Sequence, residues 1–348
     1  MGIVIYGDYM EILLLFISLV VILIAAELFV NSIEWLGKLL NLSEGAVGSV
    51  LAAVGTALPE TLIPIIALLR GDMEGASEIG IGAILGAPLM LSTLTMFVTG
   101  CAVIAFKKKR KHKDKVVVHY ETVSRDLKFF IFAFVVALLC GFIPSDYVTV
   151  KVCLGALLVI SYFIYIIKIV KDNRDNESDV PDLYFAFGHN EIMEKKYAMP
   201  LVLFQAGLSL ALIIFGAEKF VDSISYISTL FGIPAFVLAI IITPIATELP
   251  EKFNSVIWIS REKDTLALGN ITGAMMFQAS ILPAIGILLT DWSLTSVGTV
   301  LSALIAIGSA ILLLTELNIK KHMTVKMLLL CGCFYFLFIA LVIMGIIR

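Results

Sequence analysis

Ten stretches of this 348-residue chain are apolar over nearly their whole length, at 10–38, 44–69, 77–105, 127–143, 149–170, 198–224, 235–259, 265–289, 296–316 and 325–347. A helix that crosses a bilayer takes roughly 20 largely apolar residues, so the pattern predicts ten spanning helices. The runs are continuous. That excludes a membrane β-barrel, whose strands alternate apolar and polar positions. Composition agrees: 60% of residues are hydrophobic and 15% charged, against roughly 45–50% and 25% in soluble globular chains. A soluble enzyme, a secreted disulfide scaffold and a disordered protein are all excluded. The first run continues past signal-peptide length without a basic leader, so no cleavable signal is expected.

The formal net charge of −3 is less informative than its distribution. If both termini lie outside, the cytoplasmic connections are 39–43, 106–126, 171–197, 260–264 and 317–324. These carry Lys107, Lys108, Lys109, Arg110, Lys111, Lys113, Lys115 and Arg125, then Lys171, Arg174, Lys195 and Lys196, then Arg261, Lys263, Lys320 and Lys321. The outer side keeps little beyond Arg70, Lys151, Lys219 and Arg348. That is the bias that orients spans with their basic loops inside. It predicts a multi-pass cell-membrane protein with both termini outside. The run from Lys107 to Lys115 reads as a topology signal, with an anionic-lipid patch as the alternative. The polar stretch 171–197 reads as a solvated linker. Cys101, Cys140, Cys153, Cys331 and Cys333 sit in or at spans and suggest neither a disulfide framework nor a zinc site. His112, His119, His189 and His322 all fall in loops, which disfavours a histidine relay at membrane depth.

The chain repeats itself. The stretch from Ala26 to Glu60 aligns without gaps to the stretch from Ala217 to Glu251, pairing Glu27 with Glu218, Thr56 with Thr247, Pro59 with Pro250 and Glu60 with Glu251. A second block pairs Gly82–Ala87 with Gly269–Ala274. The first copy begins on span one and the second on span six. Five spans separate them, an odd number, so the copies enter the membrane in opposite directions. Inverted repeats interrupted by Pro and Gly point to a transport site near the bilayer midplane. The expected fold is an all-α integral membrane protein of ten transmembrane helices in two inverted five-helix repeats. They would occupy 1–170 and 198–348, with 171–197 as the cytoplasmic linker.

Glu60 and Glu251 lie deep in apolar spans, each directly after a Leu-Pro pair. A carboxylate in a spanning segment is costly and marks function by default. Proline lacks an N–H and leaves the carbonyl four residues earlier without its helical donor. Those carbonyls belong to Gly55 and Ala246. Carboxylates beside freed carbonyls are hard oxygen ligands of the kind Ca²⁺ takes. A pair of kinked helices with protonated structural glutamates is the plainer alternative.

These residues resemble the two α-repeats of the cation/calcium exchanger superfamily. The match is carried by GTALPE at Gly55–Glu60, ATELPE at Ala246–Glu251 and the Gly-rich blocks that follow. The sodium/calcium exchanger branch, with its Gly-Thr-Ser-Leu-Pro-Glu pattern, is most similar. The resemblance covers nearly the whole chain. It implies alternating access around a central site on spans two, three, seven and eight, with spans one and six as a sliding pair. It also implies that Glu60 and Glu251 bind the divalent ion, aided by carbonyls around Thr56 and Thr247. Glu27 and Glu218 match polar positions of the sliding pair, as gating residues or as simple interfacial ones.

Departures from the family pattern bear on the coupling ion. The Ser before Leu-Pro-Glu is Ala57 in one repeat and Glu248 in the other; the Ser of the Gly-rich block is Ala87 and Ala274. The polar ligand four residues on is Leu91 in the first half and Gln278 in the second. Ala83 stands where the second half keeps Asn270. Glu248 restores a carboxylate three residues before Glu251, on a shared helical face. Lys252 follows Glu248 by four residues. It either neutralises Glu248 as an internal counter-ion or snorkels away and leaves Glu248 as a ligand.

The function expected is a secondary-active antiporter that exports a divalent cation, Ca²⁺ first among Ca²⁺, Mg²⁺ and Mn²⁺, in exchange for Na⁺. Coupling to H⁺ without Na⁺ is the first alternative; a non-transporting ion-sensing relative is the second. The candidate metal ligands are Glu60, Glu251, Thr56, Thr247, Glu248, Asn270 and Gln278. No enzyme activity, resident cofactor or nucleic-acid partner is expected; the partners are the lipid bilayer and inorganic cations. No Gly-x-x-x-x-Gly-Lys-Ser/Thr motif is present to serve a nucleotide-driven pump.

Overall fold

Within hydrocarbon a backbone must satisfy its own hydrogen bonds, which leaves an apolar run of this length one local structure, the helix. The computed structural model is accordingly almost wholly helical. It describes residues 2–40, 57–70, 75–172, 182–186 and 195–347, and for 2–9, 169–172, 195–197 and 249–254 it gives the backbone alone. The first half contains α1 (Gly2–Leu39), α2 (Leu58–Leu69), α3 (Ala76–Ser92), α4 (Leu94–Phe106), α5 (Tyr120–Cys140) and α6 (Val148–Asp172). The second contains α7 (Lys195–Phe231), α8 (Ala235–Ser260), α9 (Asp264–Leu289), α10 (Val297–Lys320) and α11 (Val325–Ile343). Two short strands, β1 (Lys115–Val116) and β2 (Met323–Thr324), pair antiparallel with Lys115 opposite Thr324.

α3 and α4 together form the third span. The chain breaks between them at Thr93, whose φ of −122° and ψ of −77° leave the helical region. Ser92 and Thr93 turn their hydroxyls back to the carbonyls of Pro88 and Leu89, the side-chain competition that bends helices. Counting that pair as one gives the ten spans of two inverted five-helix repeats. Among the described residues, seven spans are long and apolar enough to cross a bilayer by those criteria alone. α5 differs from the 127–143 expected, because Glu121, Arg125, Asp126 and Lys128 depress hydropathy over its first three turns while the helix itself starts at Tyr120.

The halves are interleaved. α1 and α7, of 38 and 37 residues, lie along one another. α3 packs on α8, α4 on α11 and α5 on α9. Outward-facing Phe16, Ile24, Phe163, Phe204 and Leu337 are all about half exposed or more, the solvation expected of a surface in lipid. α3 approaches α8 through glycine. A Cβ on Gly86 would lie 2.4 Å from the Ile240 carbonyl oxygen and 2.8 Å from Pro244 Cγ, and one on Gly82 would lie 2.8 Å from the Phe236 carbonyl oxygen. Such small-residue spacing lets two helix backbones meet. Gly86→Ala is therefore expected to lower stability by about 1–3 kcal/mol through overpacking, read as a drop in melting temperature in detergent.

One end of the bundle is basic. Lys107, Lys108, Lys109, Lys111, Lys113, Lys115, Arg261, Lys263, Lys320 and Lys321 are all exposed there. Arg110 is the exception. Its side chain is 0% exposed and forks onto Asp264 through Nη1–Oδ1 at 2.8 Å and Nη2–Oδ2 at 2.7 Å. It also donates to the carbonyls of Ile259 and Lys115, and Asp264 accepts from the Val117 N–H. At the opposite end the Lys151 ammonium is buried against the carbonyls of Asp291 and Trp292.

The stretch between the halves is not solvated throughout. A 3₁₀ turn at Tyr184–Ala186 is docked on α1 and α7, with Leu183 only 1% exposed among Trp35, Leu39, Ala198 and Val202. Asn31 of α1 donates to the Asp182 carbonyl and accepts from the Tyr184 N–H and from Gln205 Nε2 of α7. Gln205 in turn accepts from the Phe185 N–H. Asn31 and Gln205 are 3% and 0% exposed. Buried amides demand such complete pairing, and the docked turn supplies it.

Candidate transport site

Every pair among α2, α3, α8 and α9 is in contact, so the helices that carry Glu60, the Gly82–Ala87 block, Thr247 and the Gly269–Ala274 block pack as one group. α2 starts at Leu58, placing Pro59 in its first turn, where the missing N–H costs nothing. Glu60 follows, 7% exposed, at the end of α2 where the helix dipole favours a carboxylate. Gly55 and Thr56 lie outside the described residues. α8 differs from expectation: it runs unbroken from Ala235 to Ser260 through Pro250. A proline removes one ladder bond, and packing against neighbouring helices holds the rest of the segment helical.

On α8, Thr247 is 5% exposed and donates to the Thr243 carbonyl at 3.0 Å, while Glu248 is fully buried. Glu251 and Lys252 are placed on α8 by its backbone; their side chains lie outside the described residues. On α9, Asn270 is half-buried. Gln278 is 0% exposed, and neither its Oε1 nor its Nε2 has a hydrogen-bond partner among the described residues. The Thr243 hydroxyl is likewise buried without a partner there. A fully buried, unsatisfied amide costs about 1–3 kcal/mol. Gln278→Leu is therefore expected to keep or raise the melting temperature while weakening ion binding; a variant with unchanged affinity would return Gln278 to plain packing.

α3 contributes no such groups. Ala83, Ala87 and Leu91 are 3%, 2% and 0% exposed and belong to the hydrophobic core with Leu89 and Met90. No three His, Cys, Asp or Glu side chains converge among the described residues. The polar set is one-sided, lying on α2, α8 and α9. Of the residues matched to the sliding pair, Glu27 accepts from the Tyr184 hydroxyl at 2.9 Å, which raises the tyrosine above its ordinary range. Glu218 is half-buried on α7. A turn on from Glu218, Asp222 pairs with Arg70 and Lys219.

One carboxylate in the bundle escaped the sequence reading. Asp126, expected in a cytoplasmic connection, is 2% exposed inside the bundle. It falls in helical register with the buried Phe130, Ala133, Ala137 and Cys140 of α5. That periodicity was the available signal, masked by the charged residues flanking it.

Inverted repeats of spanning helices with carboxylates buried in them are the architecture of a secondary transporter. The chain belongs to the sodium/calcium exchanger protein family, whose pattern matches residues 10–171 and 201–344. It is 24% identical over 289 residues to sodium/calcium exchanger MaX1 of Methanosarcina acetivorans, spanning 75% of this chain and 78% of that protein. Its fold is similar to the crystal structure of an H⁺/Ca²⁺ exchanger, CAX, with a TM-score of 0.70 at 16% identity over 96% of this chain and 82% of the other. It is also similar to the sodium-calcium exchanger NCX_Mj, with a TM-score of 0.58 at 20% identity over 96% and 98%.

Proposed function

We propose that this chain, a cation/calcium antiporter by family, exports Ca²⁺ in exchange for Na⁺ by alternating access. The divalent ion would be held by Glu60, Glu248 and Glu251 with oxygens around Thr56 and Thr247; Asn270 and Gln278 would add neutral oxygens for either ion. The observation that carries this reading is Gln278, a fully buried amide whose polar atoms meet no partner among the described residues. Buried polar groups in native proteins are paired, and a carbonyl-type oxygen facing a cation path is paired by the cation. Lys252 is either the internal counter-ion of Glu248 or a side chain directed away from it. The same reading takes both termini as outside, and the exposed cations at the basic end of the bundle support it.

The second reading is H⁺ coupling without Na⁺. It is favoured by the apolar stripe Ala83, Ala87 and Leu91, which leaves α3 with no side-chain oxygen at those positions. Buried carboxylates near one another raise each other's proton affinity, which gives protons a carrier. Uptake of radioactive calcium into proteoliposomes, driven separately by a Na⁺ gradient and by a pH gradient, tests both. Na⁺-driven uptake supports the first reading. Uptake driven by pH alone moves coupling to the carboxylates, and no uptake under either gradient sinks both.

A further inference from the structure

We infer that Asp126 is a positioning residue for the transport helix α9, acting through Thr272 from the side of α9 that faces away from the ions. The carboxylate lies at the junction of three helices. Its Oδ1 accepts from the Tyr165 hydroxyl of α6 at 2.7 Å, and its Oδ2 accepts from the Thr272 hydroxyl of α9 at 2.8 Å. Thr272 is 1% exposed and Tyr165 is 5% exposed. Arg125 places Nε 3.7 Å from Oδ1 and its guanidinium 5.6 Å from the centre of the Tyr165 ring.

Two hydroxyls from different helices donate to opposite oxygens of one carboxylate. Because a carboxylate accepts through both oxygens, Asp126 ties α6 and α9 to α5 at once. A buried charge is costly in a spanning segment and is retained where it serves the transport path.

Thr272 lies two residues from Asn270, which places the two about 200° apart around α9. The anchored face is thus turned toward α5 while Asn270 faces nearly opposite. Rotation of α9 by a few degrees, or sliding by a fraction of a turn, would move Asn270 and Gln278 together. Asp126 fixes that rotation from behind. Ligand orientation by a partner that never meets the ion is worth roughly 10–100-fold in metal affinity.

This inference rests on the reading of α9 as a transport-site helix, and the test separates the two. Initial Ca²⁺ uptake by the full chain in proteoliposomes is measured against Ca²⁺ concentration, with melting temperature recorded for each variant. Thr272→Val is expected to raise KM about tenfold at little change in Vmax, and Thr272→Ser, which restores the hydroxyl, to bring KM back. Tyr165→Phe removes the anchor to α6 but leaves the one to α9, so it is expected to lower the melting temperature with KM unchanged. Asp126→Leu, which offers no acceptor to either hydroxyl, is expected to raise KM as Thr272→Val does.

A Thr272→Val KM equal to that of the parent overturns the inference. So does a Tyr165→Phe variant whose KM rises as far as that of Thr272→Val, since the cluster would then be general scaffolding. If Asn270→Ala raises KM and Thr272→Val does not, the anchor alone falls. If Asn270→Ala changes nothing, α9 leaves the transport path and the inference goes with it.

Discussion

Glu60→Gln is expected to lower divalent-cation exchange by about 100-fold or more, beyond the cost of losing a partner one shell further out. The substitution keeps side-chain length and volume and removes the charge. Because Gln keeps the shape of Glu60, which is 7% exposed in the first turn of α2, the fold should hold with a melting temperature near that of the parent. Activity would then fall without a matching loss of stability. Initial rates in proteoliposomes, read beside melting temperature in detergent, check both. A Glu60→Gln variant that exchanges within a factor of about ten of the parent would remove Glu60 from the ion's ligands. Glu251→Gln should behave alike if the repeat partners share the ion.

Arg110→Ala carries the second large effect, and it falls on stability. Arg110 and Asp264 have side chains 0% and 2% exposed, and the guanidinium serves two backbone carbonyls besides the carboxylate. Deleting one member of such a pair strands the other, at about 3–5 kcal/mol. Asp264 would be left buried in the first turn of α9 with the Val117 N–H as its remaining described donor. The expected result is a melting temperature lower by many degrees. Arg110→Lys should recover part of it, because a lysine cannot reproduce the two-pronged geometry. A drop no larger than that of an exposed neighbour such as Lys109→Ala would show that the pair contributes little.

The spans were legible because hydrocarbon leaves the backbone a single solution, and the inverted repeat because Pro and Glu recur in register at both copies. Glu60 stood out in the sequence as a carboxylate inside an apolar run, and Gln278 through its place in the family pattern. Arg110 did not, since it sits among seven other cations of the same connection and only the fold turns it inward. Asp126 was hidden in a similar way: a window average over Glu121, Arg125 and Lys128 pushes the edge of the span past it, although helical spacing puts it on the buried face. The docking of Leu183 and Tyr184 had no local signal at all. It depends on Asn31 and Gln205, more than 150 positions away from one another in the chain, being brought side by side by α1 and α7. The one-sidedness of the polar set was partly visible, because Ala83, Ala87 and Leu91 are apolar by name; their burial in the core needed the packing of α3 on α8.

The interleaving of the two halves also constrains how the molecule is made. Each of α1, α3, α4 and α5 has a principal neighbour, α7, α8, α11 or α9, that leaves the ribosome only after the first five spans are complete. Until then Gly82 and Gly86 have no helix to receive them, Asn31 has no Gln205, and Asp126 has no Thr272. The half-synthesised chain is therefore a set of spans whose polar and small-residue faces wait in lipid. Biogenesis must protect that intermediate, and synthesis that stalls after α6 should give a product that is inserted yet unable to mature. The same geometry means that two separately made halves can find one another in the bilayer, since what each half lacks is displayed by the other.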